Sequence, residues 1–443
     1  MAIQLSDHFT YGRLLRFVLP SIATMLFISA YNVVDGLFVS NFVGKTAFAS
    51  VNLIFPMLMI VGSFGFMMGT GGTAVVAKTM GEGHMELANR YFSLIVYVTA
   101  AVGLLCTLFG YLLMPYAALF LGAQEQMLSD CTLYGRICTL SLPFFMLQNV
   151  FQSFFVAAER PHLNFLVMLL AGCLNMLLDA IFILGFHWGL TGAAWATVLS
   201  EFTGGIVPLI YFICPNSSKL HLGKTQLYWP ILGRTLVNGS SEMIGSISAS
   251  FLITLYNYQL IKLSGENGVA AYGVIGYVCF IFAAIFIGYS EGCSPIISYH
   301  FGAGNNLELR NLFKESTILT VSTGFIMMIV ASFLAVYIAR SFVGYDPVLF
   351  NITVYGLHVY AIAFSMFGFN IFSSALFTAL NNGLISGIIS FLRTMVFQIA
   401  SIFILPMWWG LNGIWYSVVV AEAASLAIAL IFLLANRSKY QYF

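Results

Sequence analysis

The feature that most constrains the fold of this chain is an internal repeat with an offset of 221 residues. Residues 182–201 and 403–422 align without a gap and are identical at nine of the twenty positions. The same offset pairs Gly81 with Gly302, Gly83 with Gly304 and Phe151 with Phe372. A chain built from two similar halves is typical of secondary transporters when it is also a membrane protein.

The composition is that of an integral membrane protein. Hydrophobic residues make up 60% of the chain and charged residues 7%, and the mean hydropathy is +0.93. The net charge of +1 gives no indication of a nucleic-acid partner. The seven cysteines lie mostly in apolar runs without CxxC spacing, which favours neither a disulfide framework nor a zinc site.

The hydrophobic runs predict an all-α protein with twelve transmembrane helices, because about twenty apolar residues cross a bilayer. Six runs fall in each half, so the two lobes should have parallel topology. We expect an N-terminal lobe over 1–215, a polar linker over 216–230 and a C-terminal lobe over 231–443. The predicted runs are 14–40, 47–76, 91–115, 131–158, 163–187, 190–214, 232–262, 268–297, 312–339, 351–380, 384–407 and 411–435.

Basic residues predict the orientation. Twelve of the seventeen Lys and Arg residues fall on the side that carries both termini, four fall on the other side, and Arg393 lies within the eleventh run. Under the positive-inside rule both termini are cytoplasmic. We therefore expect a multi-pass protein of the inner or plasma membrane.

Asp35 in the first run and Asp179 in the fifth are the outstanding polar residues, because a carboxylate in a membrane span is costly and usually functional. Asn175 lies one helical turn before Asp179 on the same face, and Thr197 in the sixth run lies at a similar depth. These four residues predict a pocket for a proton or a sodium ion. We expect no cofactor besides this coupling ion. A packing network is the competing interpretation, but the second half has Tyr256, Val396, Ala400 and Val418 at the equivalent positions.

Other ionisable residues give weaker signals. Glu242, Glu291 and Arg393 in the second half could form a second polar site, or Glu291 and Arg393 could form a structural ion pair. Glu201 and Glu422 recur in both halves, which indicates an architectural role. No paired-His, nucleophile–base or Walker motif is present, so neither an enzyme nor an ATP-driven pump is predicted.

Several segments together resemble the multidrug and toxic compound extrusion (MATE) transporters. They are LPS at 19–21, YNVVDGLFV around Asp35, the Gly-x-Gly turns at 81 and 302, PIISYHFGAGN at 295–305, and NMLLD followed by GLTGAAWAT. The resemblance implies two six-helix lobes that form a V around a central cavity, and drug export in exchange for inward proton or sodium flow. It assigns Asp35, Asn175, Asp179 and Thr197 to the cation pocket.

The resemblance also implies roles for residues outside that pocket. Pro20 matches the proline about which the first helix bends. Where members of this branch often carry an asparagine on the fourth helix, this chain has Gln152, with Gln148 one turn away. Met25, Tyr31 and Met168 are expected to line the substrate cavity with Gln148 and Gln152, because soft and aromatic side chains suit varied flat cations.

The predicted function is therefore an antiporter, most simply a monomer, that exports amphipathic or cationic organic compounds by alternating access. A flippase for a lipid or lipid-linked saccharide is the alternative. Such a protein should line its cavity with several Arg or Lys residues for phosphate, and only Arg393 lies mid-span here. A channel or receptor is disfavoured, because duplicated halves indicate alternating access.

Overall fold

The computed structural model describes residues 3–442, except for the side chains of Leu37 and Lys45. Within this range the chain is helical, with short π-helical turns and without a β-strand. The helices are α1 (Tyr11–Phe38), α2 (Lys45–Gly81), α3 (Met85–Phe120), α4 (Glu125–Thr139), α5 (Leu142–Ala157), α6 (Pro161–Asp179), α7 (Gly189–Ile213), α8 (Trp229–Gly302), α9 (Asn306–Val343), α10 (Pro347–Ala379), α11 (Gly383–Phe391), α12 (Gln398–Trp409) and α13 (Leu411–Tyr440).

Twelve helical segments are long and apolar enough to cross a membrane, as predicted. Ten are found by length and composition in the described chain, and the pair α4 and α5, bent by 53°, adds an eleventh. Helix α8 has 74 residues, about 110 Å of helix, which is far too long for one crossing. Its backbone leaves helical geometry at Gly265 (φ 62°), so α8 forms two arms and raises the total to twelve.

The outer surface of the bundle is apolar. Along α3, Leu104, Leu108 and Leu112 are more than half exposed, and Phe333 on α9 is 71% exposed. A water-soluble protein rarely leaves such a continuous apolar surface uncovered. These side chains therefore form the face that contacts lipid.

The sequence repeat corresponds to a two-fold relationship between the halves. A Cβ atom added to Gly81 would collide with the carbonyl oxygen of Tyr299, and one added to Gly302 would collide with that of Lys78. These two contacts are interchanged by the 221-residue offset. Glycine is therefore required at both positions, because α2 and the second arm of α8 touch through their backbones.

The halves share a core only at the end of the bundle where the described chain begins and ends, which we call the terminal end. There one buried cluster includes Phe17 and Phe92 of the first half with Ile296 and Phe377 of the second. The other clusters of the described chain each belong to one half, as with Trp415 and its neighbours. Two lobes joined at one end have the arrangement of a V.

The segment that precedes α1, residues 3–10, connects the two halves at the terminal end. The backbone N–H of Leu5 donates to Glu159 in the first half at 2.8 Å. The N–H of Phe9 donates to Glu308 in the second half at 2.9 Å, and His8 Nδ1 lies 2.6 Å from the same carboxylate. We call this segment the strap, because its contacts on both sides hold the halves together.

Candidate functional site

The candidate site is centred on Asp35 of α1 and Asp179 of α6. Helices α1 and α6 approach closely because Gly172 has no side chain and packs directly against the rings of Phe27 and Tyr31. The carboxyl groups of Asp35 and Asp179 lie close enough to interact directly with each other. Two residues far apart in the sequence thus form one acidic pair.

Asp179 is the last residue of α6 before a π-helical turn, and Asp35 lies one helical turn before a π turn that follows α1. Helix α1 continues as the π turn Val39–Val43, and α6 ends at Asp179 and continues as Ala180–Gly185. Such turns are rare and are frequent at functional sites, because they re-aim side chains and loosen the backbone hydrogen bonds. The local geometry therefore marks the same two residues that the sequence marks.

Asp179 and one carboxylate oxygen of Asp35 are buried without a hydrogen-bond donor among the described residues. Asp179 is fully buried, and neither of its carboxylate oxygens has a partner among the described residues. The same is true of Asp35 Oδ1 and of Asn175 Oδ1, one turn before Asp179. Buried polar atoms are nearly always satisfied, and two adjacent carboxylates do not both stay charged without compensation. A shared proton or a bound cation satisfies both requirements.

Thr197 lies on α7 beside a different acidic residue. Its hydroxyl donates to the Ala193 carbonyl at 3.1 Å, and the described side chains show no hydrogen bond from it to either aspartate. Thr197 and Glu201, one turn later, instead line a cavity of about 30 Å³ with Tyr134 and Cys138 of α4. Sequence reasoning treated Glu201 as architectural and did not anticipate this position.

The residues predicted to line a substrate cavity differ in burial. Tyr31, one turn before Asp35, and Met25 are half-buried, whereas Met168 is only 2% exposed. Gln148 is also buried, and its side-chain carbonyl has no partner in the described chain. The predicted hinge, Pro20, lies inside an uninterrupted α1, where the Thr24 hydroxyl donates to its carbonyl at 2.8 Å.

Gln152 and Glu291 connect the two halves. The side-chain amide of Gln152 on α5 donates to the carboxylate of Glu291 on the second arm of α8 at 3.0 Å. Glu242, on the first arm, is close enough for its charge to interact with that of Glu291. Two carboxylates therefore lie near the junction of the halves, a suitable environment for a cationic ligand.

Of the two interpretations of Arg393, the ion pair with Glu291 is wrong. Arg393 Nε donates to both carboxylate oxygens of Glu422 at 2.9 and 3.1 Å, and its guanidinium lies 4.7 Å from the centre of the Phe367 ring. Asn370 donates a further hydrogen bond to Glu422 at 2.6 Å. Glu422 comes from α13, which packs on α12 and the turn that carries Arg393, whereas Glu291 faces the other half. Arg393 thus belongs to a closed network inside the second half.

Known proteins resemble this chain in both sequence and fold. A sequence model of the MatE family matches the chain twice, over residues 20–181 and 243–404, once in each half. Multidrug export protein MepA of Staphylococcus aureus (strain MRSA252) is 24% identical over 432 residues, which cover 96% of this chain and 94% of that protein. MepA of Staphylococcus haemolyticus is 23% identical over 433 residues, with the same coverage.

Solved structures have the same fold. The crystal structure of a MATE in complex with MaL6 superposes with a TM-score of 0.93 at 20% identity and covers 98% of each chain. The outward-facing conformation of a multidrug resistance MATE family transporter also has a TM-score of 0.93 at 20% identity, covering 100% of this chain and 99% of that one. The family matches extend over more than half of the chain and confirm the resemblance read from its motifs. The chain belongs to the MatE family, the multidrug and toxic compound extrusion transporters.

Proposed function

We propose that this protein exports amphipathic organic cations and is driven by the inward movement of protons or sodium ions through the Asp35–Asp179 pair. The observation that carries the proposal is the adjacent carboxyl groups of Asp35 and Asp179 between α1 and α6, of which three oxygens are buried without a hydrogen-bond donor among the described residues. The MepA relatives are named multidrug export proteins, which supports the export of drugs by this chain.

Neutralisation of the pair is the proposed coupling step. With a proton or a cation bound, α1 and α6 pack together without unbalanced charge. Without it, the two carboxylates repel each other, and separation of the helices or entry of water becomes favourable. The ion therefore has different affinities for two packings of the first half, which is the requirement for a ligand to shift a conformational equilibrium.

The conformational change would take place at the terminal end. The halves share their core there and have separate cores at the other end. If the terminal end is cytoplasmic, as the basic residues predict, the described conformation is open to the outside. Opening to the inside would separate Gly81 and Gly302 from their neighbours and release the strap. In this proposal residues 1–215 and 231–443 move as two lobes joined by the linker 216–230.

Substrate binding is proposed near the junction of the halves. Glu242 and Glu291 supply negative charge there, and Gln152 orients Glu291. Met25, Tyr31, Gln148 and Met168 are proposed to complete the cavity on the side of the first half. A monomer suffices for this arrangement, because both halves come from one chain.

The flippase alternative loses its main chemical support. A phosphate group would need a free guanidinium or ammonium group within the cavity. Arg393, the mid-span basic residue, is paired with Glu422 and stacked on Phe367. The structure thus favours a cationic substrate over an anionic one.

Transport of ethidium into or out of proteoliposomes tests the proposal, with a pH gradient and a sodium gradient imposed separately. We expect one of the gradients to drive transport in the wild type. Asp35→Asn should abolish gradient-driven transport while the protein still inserts and binds ethidium. Full transport by this variant would contradict the mechanism. Translocation of labelled lipid in the absence of cation transport would favour a flippase.

A further inference from the structure

Glu201 and Glu422 occupy equivalent positions in the two halves but have different surroundings. Glu422 is 1% exposed and is neutralised by Arg393, with a further hydrogen bond from Asn370. Its charge is thus balanced within the second half. An architectural role, as the sequence predicted for both residues, describes Glu422 well.

The partners of Glu422 have no counterpart around Glu201. The 221-residue offset places Gly172 at the position of Arg393, and the rings of Phe27 and Tyr31 occupy the space beside it. Asn149 is equivalent to Asn370, but its amide donates to the Phe145 carbonyl at 2.9 Å. None of the ion pairs between described side chains involves Glu201. Its carboxylate therefore lacks the compensation that the same position has in the second half.

Glu201 faces a small, mostly apolar cavity. The Ser141 hydroxyl lies near its carboxylate but donates its hydrogen bond to the Cys138 carbonyl at 2.8 Å. The cavity has a volume of about 30 Å³ and is lined by Glu201, Thr197 and Tyr134, with apolar side chains such as Phe55 and Leu142 around them. This volume admits a water molecule.

The few oxygen atoms around this cavity favour a proton as its ligand. Hard metal cations bind to several oxygen ligands at once, and this lining offers a carboxylate, two hydroxyl groups and otherwise apolar side chains. A proton needs only the carboxylate and a water molecule that delivers it. The titratable groups near Glu201 are Asp35 and Tyr31 on α1 and Tyr134 and Cys138 on α4. None of these four groups is basic.

We propose that Glu201 is a second proton-binding site of the first half, separate from the Asp35–Asp179 pair and coupled to it by charge. Protonation transfers a proton from a hydronium ion in the cavity to Glu201, where an O–H bond forms and water is left. Deprotonation is the reverse. Because Asp35 and Glu201 interact through their charges, loss of the proton from one disfavours loss from the other. The proposal rests on the proposed function for its role in transport, but not for the binding of the proton.

Carbodiimide labelling of the purified, full-length protein tests the site directly. Carbodiimides react with protonated carboxyl groups in apolar surroundings, and the modified peptide is identified by mass spectrometry. We expect Glu201 to be labelled and Glu422 to stay unlabelled, because hydrogen bonds from Arg393 and Asn370 already engage both carboxylate oxygens of Glu422. Absence of label on Glu201, or equal label on both residues, would overturn the proposal. This measurement needs no variant and no transport.

The ratio of protons to substrate tests the role in coupling. It is obtained from the membrane potential that just balances a substrate gradient in proteoliposomes. Glu201→Gln should lower this ratio while ethidium binding is kept, and Glu201→Asp should restore it. An unchanged ratio in Glu201→Gln would contradict the coupling role. If Glu201 is labelled but no gradient drives export, the proposed function is contradicted. The proposal that Glu201 binds a proton is still supported in that case.

Discussion

Gln152 of the first half and Glu291 of the second are joined by a hydrogen bond of 3.0 Å, although they are 139 residues apart. The bond fixes the orientation of a carboxylate close to the junction of the halves. Glu242 places a second carboxyl group nearby. A substitution of Glu291 that keeps the hydrogen bond to Gln152 can therefore test the carboxylate charge separately from the hydrogen bond.

We expect Glu291→Gln to weaken the binding of cationic substrates and to spare neutral ones. The new side-chain carbonyl still accepts the hydrogen bond from Gln152, so the substitution removes charge with little change of shape. Affinity for tetraphenylphosphonium should fall about tenfold, equivalent to about 1.4 kcal/mol. Equilibrium binding to the purified protein measures this. Glu266→Gln, at an exposed position, is the charge-matched control. An equal loss for neutral and cationic ligands would indicate a structural role for Glu291.

Arg393→Met should destabilise the second half strongly. The substitution leaves the buried Glu422 carboxylate without its positive partner, and breaking such a pair from one side costs about 3–5 kcal/mol. The midpoint of thermal unfolding in detergent should fall accordingly. The double variant Arg393→Met with Glu422→Gln should recover much of the loss, because no uncompensated charge remains.

Arg136→Met is the matched control for Arg393→Met. Arg136 also lies over an aromatic ring, at 5.0 Å from the centre of Tyr111, but no described carboxylate pairs with it. We expect its substitution to cost about 0.5–1 kcal/mol, as for an exposed cation–π contact. A similar loss of stability in Arg393→Met and Arg136→Met would show that the ion pair between Arg393 and Glu422 contributes little to the stability of the fold.

Gly302→Ala should weaken the contact between the halves. The added methyl group would meet the carbonyl oxygen of Lys78, and the backbone there has little freedom to withdraw. Overpacking of this kind costs about 1–3 kcal/mol. We expect a lower unfolding temperature together with faster modification of cysteines placed at the terminal end.

Gly233→Ala is the control for Gly302→Ala, because it lies in the same helix with nothing within 4 Å of the added atom. Alanine is the better helix former by about 1 kcal/mol, so this variant should be as stable as the wild type or slightly more stable. Equal destabilisation by both substitutions would argue against a specific contact at Gly302.

Glu308→Ala should release the strap from the second half. Its carboxylate accepts hydrogen bonds from the Phe9 backbone and from Asn311 and lies beside His8. Hydrogen–deuterium exchange of residues 3–10 should become faster, because the amide of Phe9 loses its acceptor. Asp7→Ala is the control, since the Asp7 carboxylate accepts only a local bond from the Gln4 amide. Unchanged exchange in Glu308→Ala would show that the apolar contacts of Leu5 and Phe9 suffice to hold the strap.

Much of the fold could be predicted from local patterns. Apolar runs of membrane-spanning length indicated the helices, and the repeat indicated two related halves. Two departures are α8, which runs on through the predicted break and is divided into two arms at Gly265, and the predicted run 131–158, which is bent by 53° between α4 and α5. These features follow from the cost of exposing backbone polar groups to lipid. That cost depends on the composition of each span and not on which other helices pack against it.

The candidate site was partly predictable for the same reason. A carboxylate within a span is conspicuous wherever it occurs, so Asp35 and Asp179 could be selected, and helical periodicity added Asn175 to the same face. Glu201 could have been selected as well. The signal was in the repeat. Both halves have a glutamate at the equivalent positions 201 and 422, but the first half has Gly172 where the second has Arg393.

The number of spans, the duplication and the residues too polar for their surroundings are all visible in the amino-acid order. The partners of those polar residues emerge only in the folded chain: Arg393 with Glu422 and not with Glu291, Glu291 with Gln152, and Glu201 with no basic residue among the described side chains. The difference arises because span formation depends on the local balance of hydrophobicity and backbone hydrogen bonding. Pairing depends on which helix faces meet, and that is set by close packing, such as the backbone contacts at Gly81 and Gly302, between segments far apart in the chain.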